Sequence, residues 1–447
     1  MGVADTFRES WATRTGFILA AVGSAVGLGN VWRFPFVVGE AGGAAFLVIY
    51  LLFIVLIGLA AILVEFVIGR HTDLNPVGAL REFGGSSWRY VGGIFVFTGI
   101  VLLSFYAVAS GWAIRYTLAS LTGAYMDDPG AYFGSISTGW ETVGFQLVFM
   151  IFVVGIVAFG IRRGIELAVK VMVPAIIALI IGLIIYAVTL PDAGEGFAFY
   201  LDPDLSVILS EWHRILPDAA GQAFFTLSLG MGVMITYASY LGEDRNLAED
   251  GGVIIGLDTA IAVAVGLFVF PVLAAAGAQY EEPGAGAVFV SLSQAFGDIQ
   301  FGAVLGFVFF FVLTIAALSS AISLLEVVVA YLIDEWGLDR KVASIAVGSV
   351  IFLVGIPTAL DLDVLALYDA LAANVLLLLG GIIMVVLVGW LQSEKALAEL
   401  EKGIDDIGPW GNVWLWTVRG PVLLVLLIAF VLAIIGFVEE VQGFIWG

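Results

Sequence analysis

The sequence predicts an all-α polytopic membrane protein made of two inverted halves, with discontinuous helices one and six and one additional C-terminal span. Three observations predict it. Of the 447 residues, 61% are hydrophobic, and the mean hydropathy is +1.09, whereas a soluble domain is only about half apolar. Apolar stretches long enough to cross a bilayer recur along the chain. Two of them, SAVGLGNVWRFP at 24–35 and FFTLSLGMG at 224–232, are broken by residues that a lipid-facing helix avoids.

Taken in order, residues 1–15 are polar and read as a cytoplasmic N-terminal segment. The apolar run after them is too long for a signal-peptide core. Spans are expected at 16–38, 44–70, 90–121, 142–161 and 168–190, forming a first repeat over 16–190. Residues 191–216 read as an extracellular loop. The second repeat, 217–391, holds spans at 217–241, 252–278, 302–334, 342–358 and 364–391. A cytoplasmic loop at 392–417 leads to an eleventh span at 418–437 within the last segment, 418–447. The interrupted spans stand first and sixth. Five spans separate equivalent positions, and an odd number inverts one half relative to the other.

Basic residues set the orientation. With the N-terminus inside, Arg8, Arg14, Arg70, Arg81, Arg89, Arg162, Arg163, Lys170, Arg245, Arg340, Lys341, Lys395, Lys402 and Arg419 lie at the cytoplasmic side. Arg33, Arg115 and Arg214 do not, so fourteen of the 17 basic residues obey the positive-inside rule. The C-terminus is then extracellular. The protein is expected in the cell membrane of a prokaryote.

Composition excludes several functions. There is no cysteine, hence no thiol nucleophile or thiolate metal site. The two histidines, His71 and His213, make no ligand pair and fall at membrane edges. No nucleophile–base motif appears, so the chain is not read as an enzyme. The net charge of −21 disfavours nucleic acid and suits a solvated acidic surface in a salt-loving organism. The lipid bilayer and a small-molecule substrate remain as partners; the oligomeric state is open.

The interruptions carry the chemistry. A broken helix exposes unpaired N–H groups at the start of its second half and unpaired C=O groups at the end of its first. The N–H end suits a carboxylate, and the C=O end suits a cation or an ammonium. Two breaks side by side can grip both ends of a zwitterion with cations between them. Gly27 and Gly29 let the backbone unwind, Asn30 offers an oxygen, and Arg33 stands one turn further out. A packing kink between small residues is the competing reading. It leaves Asn30 and Arg33 unexplained.

The stretches WATRTGFILAAVGSAVGLGNVWRFP, GGAAFLVIYLL, VEFVIGR, GQAFFTLSLGMGVMITYASY and ALSSAISLLE resemble the neurotransmitter:sodium symporter family, in its prokaryotic amino-acid branch of eleven spans. The resemblance runs from about Arg8 to Trp390. It implies the five-plus-five inverted-repeat, leucine-transporter-like fold, Na⁺-driven uptake and alternating access.

The resemblance also implies residue roles. The first sodium site would use Ala25, Asn30, Thr226 and Asp258, with the substrate carboxylate. The second would use Gly23, Val26, Ala316, Ser319 and Ser320. The substrate would meet Ala25, Leu28, Gly29 and Tyr106 at its carboxylate end. Phe225, Thr226 and Ser228 would take its amino group, and Leu102, Met231, Ser320 and Leu324 would line its side-chain pocket, with Phe225. The outer gate would pair Arg33 with Asp369 under the lid of Tyr106 and Phe225. The inner gate would pair Arg8 with Asp334, supported by Trp11, Ser239 and Tyr240.

Three positions depart from family habit. Gly27 stands where amine-transporting members carry Asp, which favours amino acids. Met231 stands where many relatives have Phe, and its flexible chain suits several apolar or aromatic substrates. Asp258 replaces Asn, and Ala262 replaces Ser or Glu. A carboxylate beside the first sodium site implies chloride-independent transport, with a proton carried outward on the return step. The expected function is therefore sodium-coupled symport of hydrophobic or aromatic L-amino acids. A sensor on the same scaffold that binds without moving its ligand is the alternative.

Overall fold

A computed structural model describes residues 9–278, 287–404 and 407–446. Arg8 and the acidic run at 280–283 lie outside them. Every regular element among the described residues is helical.

Among the described residues, nine helices are long and apolar enough to cross a bilayer: Ala44–Thr72, Trp88–Ser120, Trp140–Ala158, Ile161–Ala187, Leu247–Ala275, Gly302–Trp336, Arg340–Leu360, Leu362–Leu391 and Gly408–Val438. They are spans 2, 3, 4, 5, 7, 8, 9, 10 and 11. Span 1 is the pair Arg14–Ala25 and Gly29–Glu40, bent by 47° at its break. Span 6 is the pair Leu205–Thr226 and Val233–Ala238. Neither half of span 6 is long and apolar enough to cross alone: Leu205–Thr226 carries Glu211, Arg214 and Asp218, and Val233–Ala238 has only 6 residues.

Residues 191–216, expected as an extracellular loop, hold the helix Ala193–Leu201 and the first turns of Leu205–Thr226. Asp204 starts the latter by accepting the Ser206 N–H at 2.8 Å, a side-chain cap that polar composition hides. The last span starts at Gly408 rather than 418, because the GPWGNVWLWT segment continues into it as helix.

Packing places the broken helices at the centre. The first half of span 1 touches spans 5, 7 and 8 and the inner half of span 6. Spans 3 and 8 lie along each other behind it. The helix Ser393–Glu401 is bound to the end of span 2 through Glu399. This carboxylate accepts from Arg70 at 2.7 Å, His71 at 3.1 Å and Lys402 at 2.9 Å. Burial alone would raise its pKa. Hydrogen bonds from Lys402, Arg70 and His71, with the charge of Arg70, outweigh that and hold it below the usual carboxylate range.

Candidate functional site

The first break begins where helical hydrogen bonding stops after Ala25. Val26 is extended, and the chain resumes as a wide π-turn over Gly29–Arg33. The second break covers 227–232. Ser228, Gly230 and Gly232 all take positive φ there, of 53°, 80° and 75°. A Cβ on Gly230 would run into the Leu377 backbone, so span 10 closes on this turn only because it is glycine.

The breaks face each other across a cavity lined by Gly27, Tyr106, Phe225, Met231, Ser320 and Leu324, with Ser24, Ala25, Gly29, Leu102, Ser228 and Ser323. Its volume is small, about 30 Å³. The Tyr106 hydroxyl accepts the Leu28 N–H at 3.1 Å, at the start of the outer half of span 1. Ser228 donates to the Ser24 carbonyl at 3.1 Å and joins the two breaks.

Of the residues expected around the first sodium ion, Asn30, Thr226 and Asp258 meet and are fully buried, and Ala25 lines the cavity between the breaks. Asn30 donates to one Asp258 carboxylate oxygen at 2.8 Å, and the Thr226 hydroxyl donates to the other at 3.0 Å. Those expected around the second ion also converge. The Ser319 hydroxyl reaches the carbonyls of Ala316 (2.9 Å) and Val26 (3.4 Å), and Ser320 reaches that of Gly23 (3.3 Å). Both sets offer only hard oxygen donors, apart from the Asn30 amide nitrogen. They suit a small hard cation rather than a soft metal. Among the described residues no cluster of three His, Cys, Asp or Glu could hold a metal of another kind.

The sodium:neurotransmitter symporter family model matches residues 8–127 and 133–445. The chain belongs to this family. It is 35% identical over 438 residues to the uncharacterized sodium-dependent transporter YhdH of Bacillus subtilis, covering 94% of this chain and 96% of that one. It is 35% identical over 442 residues to a sodium-dependent transporter of Methanocaldococcus jannaschii, covering 93% and 89%. The solved structure of MhsT in complex with L-phenylalanine superposes with a TM-score of 0.86 at 42% identity, covering 95% of this chain and all of that one. This protein is therefore a sodium-dependent symporter with the fold of that transporter, and it is not an enzyme.

A cluster around Trp11 packs the two broken spans together at one end of the symporter. Trp11 donates its indole N–H to the Tyr237 carbonyl at 2.9 Å and packs edge-on against Tyr237 and Tyr240. The Tyr240 hydroxyl donates to Glu326 at 2.7 Å, and Arg340 bridges Glu326 to Glu9. Ser239 turns its hydroxyl onto the Thr236 carbonyl at 2.7 Å. Asp334 accepts from the Asn75 backbone at 2.9 Å. Its expected partner Arg8 lies outside the described residues.

On the outer side the expected direct pair of Arg33 with Asp369 is not formed. No ion pair within 4.0 Å joins them. The Arg33 guanidinium lies instead over the Phe225 ring, 4.8 Å from its centre. Arg33 shares with Asp218 and Asn374 the lining of an outer cavity of about 210 Å³.

The symporter also uses residues that the sequence reading passed over. Glu65 of span 2 is buried and accepts the Gly230 N–H at 2.8 Å and the Ile235 N–H at 3.4 Å, holding the unwound turn of span 6. Its signal was an acid inside an apolar span, which is costly unless it does something. Gln222 donates to the Gly29 carbonyl at 3.0 Å and couples the two breaks. Glu166 receives the Ala12 N–H and the Thr13 hydroxyl, both at 2.8 Å, and Arg14 pairs with Glu249 and Asp250. These contacts fasten the start of span 1 to spans 5 and 7.

Proposed function

We propose that the protein imports hydrophobic or aromatic L-amino acids together with two Na⁺, by alternating access. One observation carries the substrate class: the side chains lining the cavity include no acid, while Tyr106 stands with Leu28 N–H at one end and Leu102, Met231 and Leu324 form an apolar wall. A free amine has no counter-charge in such a pocket. A zwitterion supplies its own carboxylate to the Tyr106 hydroxyl and the N–H end of the broken helix, and to the first sodium ion. Its amino group meets the carbonyls ending the first half of span 6. The phenylalanine bound to MhsT, similar along the whole chain, supports the same class.

Binding of substrate and ions would draw the two breaks together under Phe225. Return of the ions to the cytoplasm requires the contacts of Trp11, Arg14 and Arg340 to release the first half of span 1. The driving force is sufficient. Two Na⁺ crossing 100 mV supply roughly 4.6 kcal/mol. A tenfold Na⁺ gradient adds about 1.4 kcal/mol per ion. The total of about 7 kcal/mol supports up to roughly 10⁵-fold accumulation of a neutral zwitterion when coupling is tight.

Uptake of labelled amino acids into proteoliposomes tests the proposal. Replacing external Na⁺ with K⁺ at equal ionic strength is expected to abolish accumulation of phenylalanine, leucine or tryptophan. Unchanged uptake, or preference for the decarboxylated amines, would overturn it.

Met231 is buried against the cavity. Exchanging its unbranched chain for a rigid ring in Met231→Phe is expected to narrow tolerance, weakening competition by the bulkiest substrate about tenfold relative to leucine. A competition profile identical to the parent would assign Met231 to packing alone.

A further inference from the structure

We propose that the groove between spans 4 and 9 is a binding site for an anionic phospholipid, with an acyl chain along the groove and the phosphate at Lys341. The groove encloses about 620 Å³, within the size range of specific ligand sites. Its walls are apolar, among them Met150, Ile151, Ile345 and Leu353, and Lys341 lines it as its one charged residue. Lys341 stands at the cytoplasmic end of span 9, one residue after the helix begins at Arg340.

The shape of the groove has a sequence cause. A Cβ on Gly155 would meet nothing within 4 Å. This glycine is therefore not demanded by helix packing, although glycine weakens a helix relative to alanine. What its lack of a side chain preserves is the depth of the groove.

Charge at the mouth favours an anion. The acids at this edge are already engaged. Asp339 caps span 9 by accepting the Lys341 and Val342 N–H groups, and Glu9 takes the Ile161 N–H and pairs with Arg340. Among the described residues the Lys341 ammonium has no ion-pair partner, nor has Arg163 in the first turn of span 5. Basic pockets between spanning helices on the cytoplasmic side are where anionic headgroups settle. A second groove, between spans 2 and 7, serves as an internal comparison. It has a similar volume, about 590 Å³, but only uncharged residues line it. It can hold an acyl chain without selecting a headgroup.

Native mass spectrometry of the purified full-length protein tests the assignment, titrating phosphatidylglycerol against phosphatidylcholine of the same chains. The parent is expected to retain one phosphatidylglycerol with at least fivefold preference. Lys341→Gln should remove the preference while keeping Na⁺-dependent substrate binding, because the groove lies away from the cavity. Gly155→Leu should remove the adduct itself. Gly256→Leu, which fills the second groove, should change neither. Equal retention of the two lipids by the parent would overturn the proposal, as would a preference that survives Lys341→Gln. Displacement of the adduct by millimolar glycerol phosphate would also overturn it, because the groove would then contribute nothing.

Discussion

Gly27→Asp is expected to lower Vmax/KM for amino-acid uptake at least 100-fold. A Cβ at Gly27 would stand 2.6 Å from the Tyr106 hydroxyl oxygen and closer still to that of Ser320. Tyr106 holds the Leu28 N–H, and Ser320 sits among the oxygens proposed for the second sodium ion, so neither can move without loss. Overpacking of this kind costs about 1–3 kcal/mol. Burying an unpaired carboxylate costs several kcal/mol more, roughly, when no partner is provided. At about 1.4 kcal/mol per tenfold, even the lower end of the sum exceeds two decades. Gly27→Ala carries only the steric part and should lose about tenfold. Uptake kinetics normalised to protein incorporated, alongside Na⁺-dependent thermal stabilisation, separate a broken site from a misfolded chain. Near-parental amino-acid uptake by Gly27→Asp would show that the break is not the substrate site. A gain of amine uptake by Gly27→Asp would agree with the reading that the missing acid at this position is what favours amino acids.

The spans were legible in the sequence because hydropathy acts over some twenty residues and needs no knowledge of partners. Both interruptions were legible for the opposite reason: Gly27, Asn30 and Gly230 are locally wrong for a lipid-facing helix. The side chains that fasten the breaks were less visible. Arg14 reads as an ordinary positive-inside residue, yet it reaches Glu249 at 2.5 Å and Asp250 at 2.8 Å, more than 200 residues along the chain. Glu326 follows the ALSSAISLL run and looks like the end of an apolar stretch, but it is buried between Tyr240 and Arg340. Such roles depend on which helices become neighbours, and periodicity within one helix does not carry that. The outer gate shows the limit from another side. Arg33 and Asp369 carry opposite charge at matching depth, but whether they touch depends on the conformation, and here Arg33 faces Phe225. Glu65 could have been found. An acid in the middle of VEFVIGR has no inexpensive alternative to binding backbone N–H groups, and the unwound turn of span 6 supplies them.

Asp258→Asn is expected to weaken the apparent Na⁺ affinity by roughly 30-fold or more, whereas parent uptake should be equal in gluconate and in chloride. The carboxylate lies between Asn30 and Thr226, accepting from both, with all three fully buried. A sodium ion held by those neighbours sits next to a full negative charge, worth about 4 kcal/mol at 4 Å for an effective dielectric near 20. Asparagine keeps the shape and one oxygen but removes the charge, and half of that energy is already about 30-fold. The substituted amide also presents N–H donors where the Thr226 hydroxyl now donates, so one contact becomes repulsive unless the hydroxyl turns. The same argument accounts for the position of Ala262. One turn further along span 7 and buried, it offers no donor to hold an anion. The double variant Asp258→Asn, Ala262→Ser places a hydroxyl there, and chloride should then restore part of the lost affinity. Substrate binding titrated against Na⁺ in gluconate and in chloride reads all three outcomes. A strict chloride requirement in the parent would show that Asp258 does not supply the charge. An unshifted Na⁺ midpoint in Asp258→Asn would place the first sodium ion away from this carboxylate.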